Sequence, residues 1–467
     1  MELWQLSAVE TTTAVRDGTI TCVDVVDSHL ARMMAVNGAI NAVTVDLSET
    51  ARVEAELADL AIASRQPLGP LHGVPITVKE NVDQAGQATT NGVAAFADVI
   101  AEYDSPVVAN LKKAGAIIIG RTNTPEFSLR WFTDNKLRGL TRNPWNNALT
   151  PGGSSGGAAA SLAMGIAAVA HGNDLGGSLR YPAYCCGLAT IRPTLGRVPA
   201  YNPSGAERPP AVALMSVQGP IAREVRDVRL ALQAMAARDI RDPLWRAVPL
   251  LSGRRDTALR VAVCADPAGD GVEPVVMAAI RRAADALSNA GYELVEVTPP
   301  AVSEIAAIWG AIQSTEISEM IKPAIDAHGS ADCQKSVGYL QTVYGSFGLS
   351  EYMRAWADRM RLVREWLTFL EEFAVLLVPV SQEPPAPLND DLKSLERYRE
   401  LVAAHKMLVA VNFLGLPAAV VPTGVVNGSP MGVQLIATRY REDLALDAAE
   451  AIERATGILT KQLWSRE

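Results

Sequence analysis

The chain is poor in several things, and each shortage excludes a class of protein. Its 467 residues hold five cysteines: Cys22, Cys185, Cys186, Cys264 and Cys333. A sparse, odd-numbered set in a long chain is no disulfide framework, and the adjacent Cys185-Cys186 pair is not a CxxC, so small buried hydrophobes are expected. The five histidines (His29, His72, His171, His328 and His405) are scattered, with no HExxH or other ligand spacing. No metal is therefore expected, and no other cofactor is expected either. No run of Lys or Arg stands against the net charge of −9, which gives no general attraction to nucleic acid or an anionic membrane. The apolar run Ala158–Ala170 is shorter than the roughly 18 residues of a membrane span. The opening MELWQLSAVETTT lacks a basic segment followed by an apolar one, so no signal peptide is expected and a cytoplasmic location is the expectation. Repeats and low-complexity segments are missing too.

What is present reads as a large α/β protein. Hydrophobic residues make up 49% and charged residues 20%, enough apolar material for a sizeable core. Residues 1–65 read as helical. Gly73–Asn81 is a short β-prone run ending in polar residues, 105–114 a helix opened by Ser105-Pro106, and 116–120 a buried strand. Strand, helix and strand in succession indicate an α/β architecture. Ala158–Ala170 reads as a tightly packed buried helix, and 201–255 as irregular. Strands are expected at 259–264, 293–297, 375–380, 418–421 and 432–436, with helices at 275–289, 301–373 and 444–455.

Two glycine-flanked serine clusters stand out: Gly152-Gly153-Ser154-Ser155-Gly156-Gly157 and Gly176-Gly177-Ser178. Glycines beside serine let backbone N–H groups turn toward a reacting atom, as an oxyanion hole requires. Three readings of the first cluster compete. A phosphate loop needs Lys where Ala158 stands. A GxSxG elbow fits Gly152–Gly156 and would recruit His328 or His405. A glycine-rich turn opening a helix needs no chemistry at all. Lys79 adds a further element. A serine needs a base, and a lysine becomes one when burial disfavours its ammonium.

These residues sit within a longer pattern. Gly73–Asn81, Gly120–Phe127, Thr141–Asn146, Pro151–Gly157, Asp174–Arg180, Gly187–Arg197, Gly415–Pro417 and Met431–Ile436 together resemble the amidase signature family. The resemblance is strong over about 65–220 and again over about 375–457, and weak between. It implies one large domain with a central twisted mixed sheet covered by helices on both faces. Its parts would be N-terminal helices (1–65), a catalytic core (66–220), a variable, mostly helical pocket region (221–373) and the remaining core (374–467). It further implies a Ser-Ser-Lys triad: Ser178 as nucleophile, Ser154 as bridging serine behind a cis Gly153–Ser154 bond, and Lys79 as base. The oxyanion would meet the backbone N–H groups of Leu175, Gly176, Gly177 and Ser178. Ser155, Asp174 and Arg180 would support the site, the last two as an ion pair. Three features depart from the family pattern: Ala158, Leu175 and the His171-Gly172-Asn173 run ahead of Asp174. A packing role is expected for His171.

The implied reaction is hydrolysis of a carboxylic amide through a serine acyl-enzyme. Ser128, Leu129, Trp131 and Gly153 are the expected substrate contacts, with the aromatics of 301–356 closing the pocket. Aromatic walls suit an aryl amide, an anilide or a carbamate. A small-molecule substrate and a monomer or homodimer, with no nucleic acid or membrane partner, complete the expectation. Two alternatives remain open: the catalytic component of a glutamine-dependent tRNA amidotransferase, and a non-catalytic protein that binds through its glycine loops.

Overall fold

A computed structural model describes residues 2–250 and 259–466. Eleven strands form one sheet: β1 (Val43–Asp46), β2 (Pro75–Lys79), β3 (Ile117–Thr122), β4 (Val169–Asp174), β5 (Ala189–Arg192), β6 (Val217–Ala222), β7 (Arg260–Val263), β8 (Glu293–Glu296), β9 (Val375–Pro379), β10 (Ala418–Val426) and β11 (Ser429–Ile436). Their order across the sheet is β1-β3-β2-β4-β6-β5-β10-β11-β9-β7-β8. The sheet is mixed. β2 runs parallel to β3 and β4, and β7 parallel to β8 and β9, while the central pairs from β4 to β9 are antiparallel.

Alternation along the strands supplies both faces with apolar side chains. In β3, Ile118 joins a core with Ile76, Val78 and the helices 225–235 and 442–456. Ile117 and Ile119 point the other way, toward Leu30 and the helices Gly156–Ala163 and Arg180–Cys186. Helices thus cover both faces, as the family resemblance implied. A third core joins helices 302–316, 349–372 and 406–414 to Leu376 and Val378 of β9.

Three expectations need correction. The helix expected over 158–170 ends at Ala163, and Val169–Ala170 open β4. An all-apolar run carries no periodicity to separate a buried helix from a buried strand. Gly165 makes the break, with φ of +76° and the Trp4 ring where a side chain would stand. The stretch 201–255, read as irregular, contains helix Pro210–Met215, strand β6 and helix Val225–Met235; its positions 251–255 lie outside the described residues. Proline argues against a central strand, yet Pro220 lies in β6 opposite His171. The region 1–65 is helical except for β1, which pairs with β3 at the sheet edge.

Candidate active site

The site forms where β2 and β4 end side by side. β2 places Lys79 at its C-terminal end, fully buried. Its Nζ lies 2.6 Å from Ser154 Oγ, 2.8 Å from Asn173 Oδ1 and 3.2 Å from Ser155 Oγ. Burial pushes the Lys79 ammonium well below its ordinary range, against a smaller upward pull from the Asp174 charge. An amine in that setting holds its proton weakly.

The first serine cluster is pinned by contacts that tolerate no side chain. A Cβ on Gly153 would lie 2.6 Å from backbone atoms of Arg130, Trp131 and Phe132. Gly153 therefore packs against that segment and is not among the residues lining the pocket. The Gly153–Ser154 peptide is cis. Ser155 caps helix Gly156–Ala163, so the hydroxyls of Ser154 and Ser155 sit at the positive end of a helix dipole.

The second cluster follows β4 directly. Asp174 holds it from beneath, fully buried. Its Oδ1 accepts from the Gly177 N–H (2.8 Å), Arg180 Nη2 (3.0 Å) and Asn412 Nδ2 (2.9 Å). Its Oδ2 accepts from the Leu179 N–H (3.2 Å) and Arg180 Nε (3.0 Å). Burial alone would raise this carboxyl, but the Arg180 guanidinium leads the charges and hydrogen bonds that hold it well below the usual carboxylate range. The expected Asp174–Arg180 ion pair is thus present and fully enclosed. With the Gly177 N–H given to Asp174, the backbone amides of Leu175, Gly176 and Ser178 are the ones left without an acceptor among the described residues. The Ser178 hydroxyl likewise has no hydrogen bond to a described residue, and no hydrogen bond joins it to Ser154.

Ser178, Leu175 and Gly176 open onto a pocket. Its walls include Leu129, Trp131, Trp309, Ile317, Leu340 and Tyr344. Trp131 Nε1 donates to the Gly176 carbonyl (2.8 Å), fastening one wall to the serine loop. Ser128, also in the lining, has φ of +58° after Phe127 at +54°. Its hydroxyl donates to Asn91 Oδ1 (2.7 Å) and accepts from Asn81 Nδ2 (3.0 Å). Of the aromatics in 301–356, Trp309 and Tyr344 reach the pocket.

The structure also brings in residues that sequence reasoning missed. Asn173 departs from the family pattern, and nothing in its local sequence points to a role. Arg130 and Asp391 make a buried two-pronged pair, and both are among the residues lining the pocket. These partners lie up to 261 positions apart, and no local pattern announces such pairs. His171 is buried against Gln218 (2.8 Å), with burial pushing it down to about 4. His405 is wedged between Trp131 and Tyr181, ring centroids 4.5 Å from each. Neither His405 nor His328 hydrogen-bonds Ser154 or Ser178, so the elbow arrangement is not formed. No group of three or more His, Cys, Asp or Glu among the described residues is placed to hold a metal ion, and no helix among them is long and apolar enough to cross a membrane.

Comparison with known proteins adds four findings. A family model described as Amidase matches residues 24–446. The chain is 50% identical to an indoleacetamide hydrolase of Bradyrhizobium diazoefficiens over 464 residues, 99% of this chain and 88% of that one. It is 32% identical to one component of the glutamyl-tRNA(Gln) amidotransferase of a Synechococcus strain, over 96% of each. Among solved structures, a bacterial aryl acylamidase of the amidase signature family superposes with a TM-score of 0.86 at 26% identity, covering 98% of each chain.

Proposed function

The chain belongs to the amidase signature family and is a hydrolase of carboxylic amide C–N bonds; from that premise we propose that its substrate is a primary arylacetamide of the size of indole-3-acetamide, released as the arylacetic acid and ammonia. One observation carries the choice: the pocket above Ser178 is walled by Trp131, Trp309 and Tyr344, which suit a flat aromatic ring. The 50% identity to an indoleacetamide hydrolase supports it.

In this reading Ser178 is the nucleophile. Neutral Lys79 takes the Ser154 proton while Ser154 takes that of Ser178, and Ser178 Oγ bonds to the amide carbon. The negative charge on the carbonyl oxygen meets the free N–H groups of Leu175, Gly176 and Ser178. The proton returns through Ser154 to the amide nitrogen, the C–N bond breaks, and ammonia leaves an arylacetyl ester on Ser178. Water, deprotonated through the same pair, then displaces Ser178 and frees the acid. The relay needs the Ser154 and Ser178 hydroxyls to meet in the substrate complex, where catalytic hydrogen bonds commonly tighten. The enzyme works in the cytoplasm as a monomer or homodimer and needs no nucleic acid.

Product formation from a panel of indole-3-acetamide, phenylacetamide, acetanilide, an aryl carbamate and glutamine tests the proposal. The arylacetamides should give the highest kcat/KM. Preference for glutamine would favour the amidotransferase reading, and preference for acetanilide or the carbamate would overturn the substrate assignment.

A further inference from the structure

A neutral lysine amine has two hydrogens and one lone pair. It acts as a base toward Ser154 only when the lone pair, and not a hydrogen, faces that hydroxyl. Burial pushes Lys79 toward the neutral amine but does not fix its orientation, because an amine turns freely about its last C–N bond. Something must occupy both hydrogens.

Two oxygens are within reach. Asn173 Oδ1 lies 2.8 Å from Nζ and Ser155 Oγ 3.2 Å. With a hydrogen on each, the lone pair is left facing Ser154 Oγ at 2.6 Å. The stronger of the two holds is itself anchored. Asn173 Nδ2 donates to Asn81 Oδ1 (2.9 Å), Asn81 Nδ2 donates to Ser128 Oγ (3.0 Å), and the Ser128 hydroxyl donates to Asn91 Oδ1 (2.7 Å). Every hydrogen in this chain points the same way. Asn81 is further held through its backbone carbonyl by Asn202 Nδ2 (3.0 Å). A hydroxyl at position 173 would exchange donor for acceptor by rotating one hydrogen. A carboxamide tied at its nitrogen end keeps its oxygen toward Lys79.

We propose that Asn173 is a positioning residue: its carboxamide oxygen, held through Asn81 and Ser128, takes one hydrogen of Lys79 and turns the lone pair onto Ser154. The proposal rests on the reading of Lys79 as the base. It also ties the base to the pocket wall, since Ser128 belongs to both.

Kinetics of Asn173→Ala, Asn173→Asp, Asn81→Ala and Lys79→Ala against indole-3-acetamide test it, with melting temperatures as the control for folding. Asn173→Ala should lower kcat by about tenfold or more while KM stays within about twofold, the mark of a group that acts only in the transition state. Asn81→Ala should reproduce that loss without touching Lys79. Asn173→Asp keeps the oxygen but puts a carboxylate beside the amine, so the acid limb of kcat/KM should move up by about one pH unit or more. An unmoved limb would show that position 173 does not act on the amine of the base, and the near-isosteric aspartate keeps the test open if the alanine variants fail to fold. Wild-type kcat in Asn173→Ala, or an unmoved limb in Asn173→Asp, overturns the proposal. Activity surviving in Lys79→Ala would instead overturn the assignment of the base. An inactive Lys79→Ala beside an unaffected Asn173→Ala would refute the positioning role alone.

Discussion

Replacing Asp174 by Asn changes one atom and leaves the shape, so its effect isolates the charge beneath the serine loop. The carboxylate accepts five hydrogen bonds, three at Oδ1 and two at Oδ2. An asparagine must put its NH2 in one of those places. The less damaging choice is Oδ2, where it faces two donors, the Leu179 N–H and Arg180 Nε. Arg180 then stays fully buried without its counter-charge, and Arg192, whose Nε lies 4.0 Å from Asp174 Oδ1, loses the same support. Breaking a buried pair from one side costs about 3–5 kcal/mol. Unfolding entropy scales at about 2.1 cal/mol/K per residue, or ~1 kcal/mol/K for this length, so Tm should fall by about 3–5 °C. The Gly177 and Leu179 amides flank Ser178, and a displacement of about 1 Å there costs roughly a hundredfold in kcat. The pH profile adds a sign. The Asp174 charge pulls the Lys79 ammonium up, so Asp174→Asn should move the acid limb of the residual activity to lower pH. Thermal melts and a pH series of kcat/KM with indole-3-acetamide read all three effects. An unchanged Tm, a kcat within about threefold of wild type, or a limb displaced to higher pH would refute the reasoning.

A fluorophosphonate should label wild-type enzyme at Ser178, located by peptide mass spectrometry. Label on another residue, or in Ser178→Ala, would refute the nucleophile. His328→Ala should keep kcat within about twofold, because no hydrogen bond joins that ring to either serine; a large loss would revive a histidine base. In Gly310→Ala the new Cβ would stand 2.0 Å from the Tyr344 ring and force it to move. KM for arylacetamides should then rise about tenfold, while acetamide, too small to reach that wall, is spared; equal effects on both would argue against Tyr344 as an aryl contact. In wild-type enzyme kcat/KM should climb with pH until Lys79 is neutral and then level. Because its amine is held well below the ordinary lysine range, that plateau should be reached well before pH 10.5, and activity confined to acid pH would contradict a lysine base.

Much of the site was legible before any fold was known, because the chemistry depends on residue type and local spacing. Ser154 and Ser178 stand 24 positions apart in two glycine-bounded turns, and Lys79 closes a β-prone run. The strands at 375–379 and 260–263 and the helix Pro106–Lys113 followed from apolar runs and an N1 proline. The end of the helix after Gly156 did not, since Ala158–Ala170 is apolar whichever structure it adopts. Nor did β6, where Pro220 conceals a central strand.

The reaction class and the candidate residues for it are written in short segments, because a serine hydroxyl, a lysine amine and glycine-freed amides are local properties. How they meet belongs to the folded chain. The parallel pairing of β2 with β4 brings Lys79 to Asn173 across 94 positions. Asp174, engaged by Arg180, Asn412 and the Gly177 amide, leaves three free N–H groups at the serine loop where the sequence offered four. Trp309 and Tyr344, more than 125 positions beyond Ser178, supply the pocket walls. Contacts between distant segments are set by the packing of the whole sheet, and no local pattern records them.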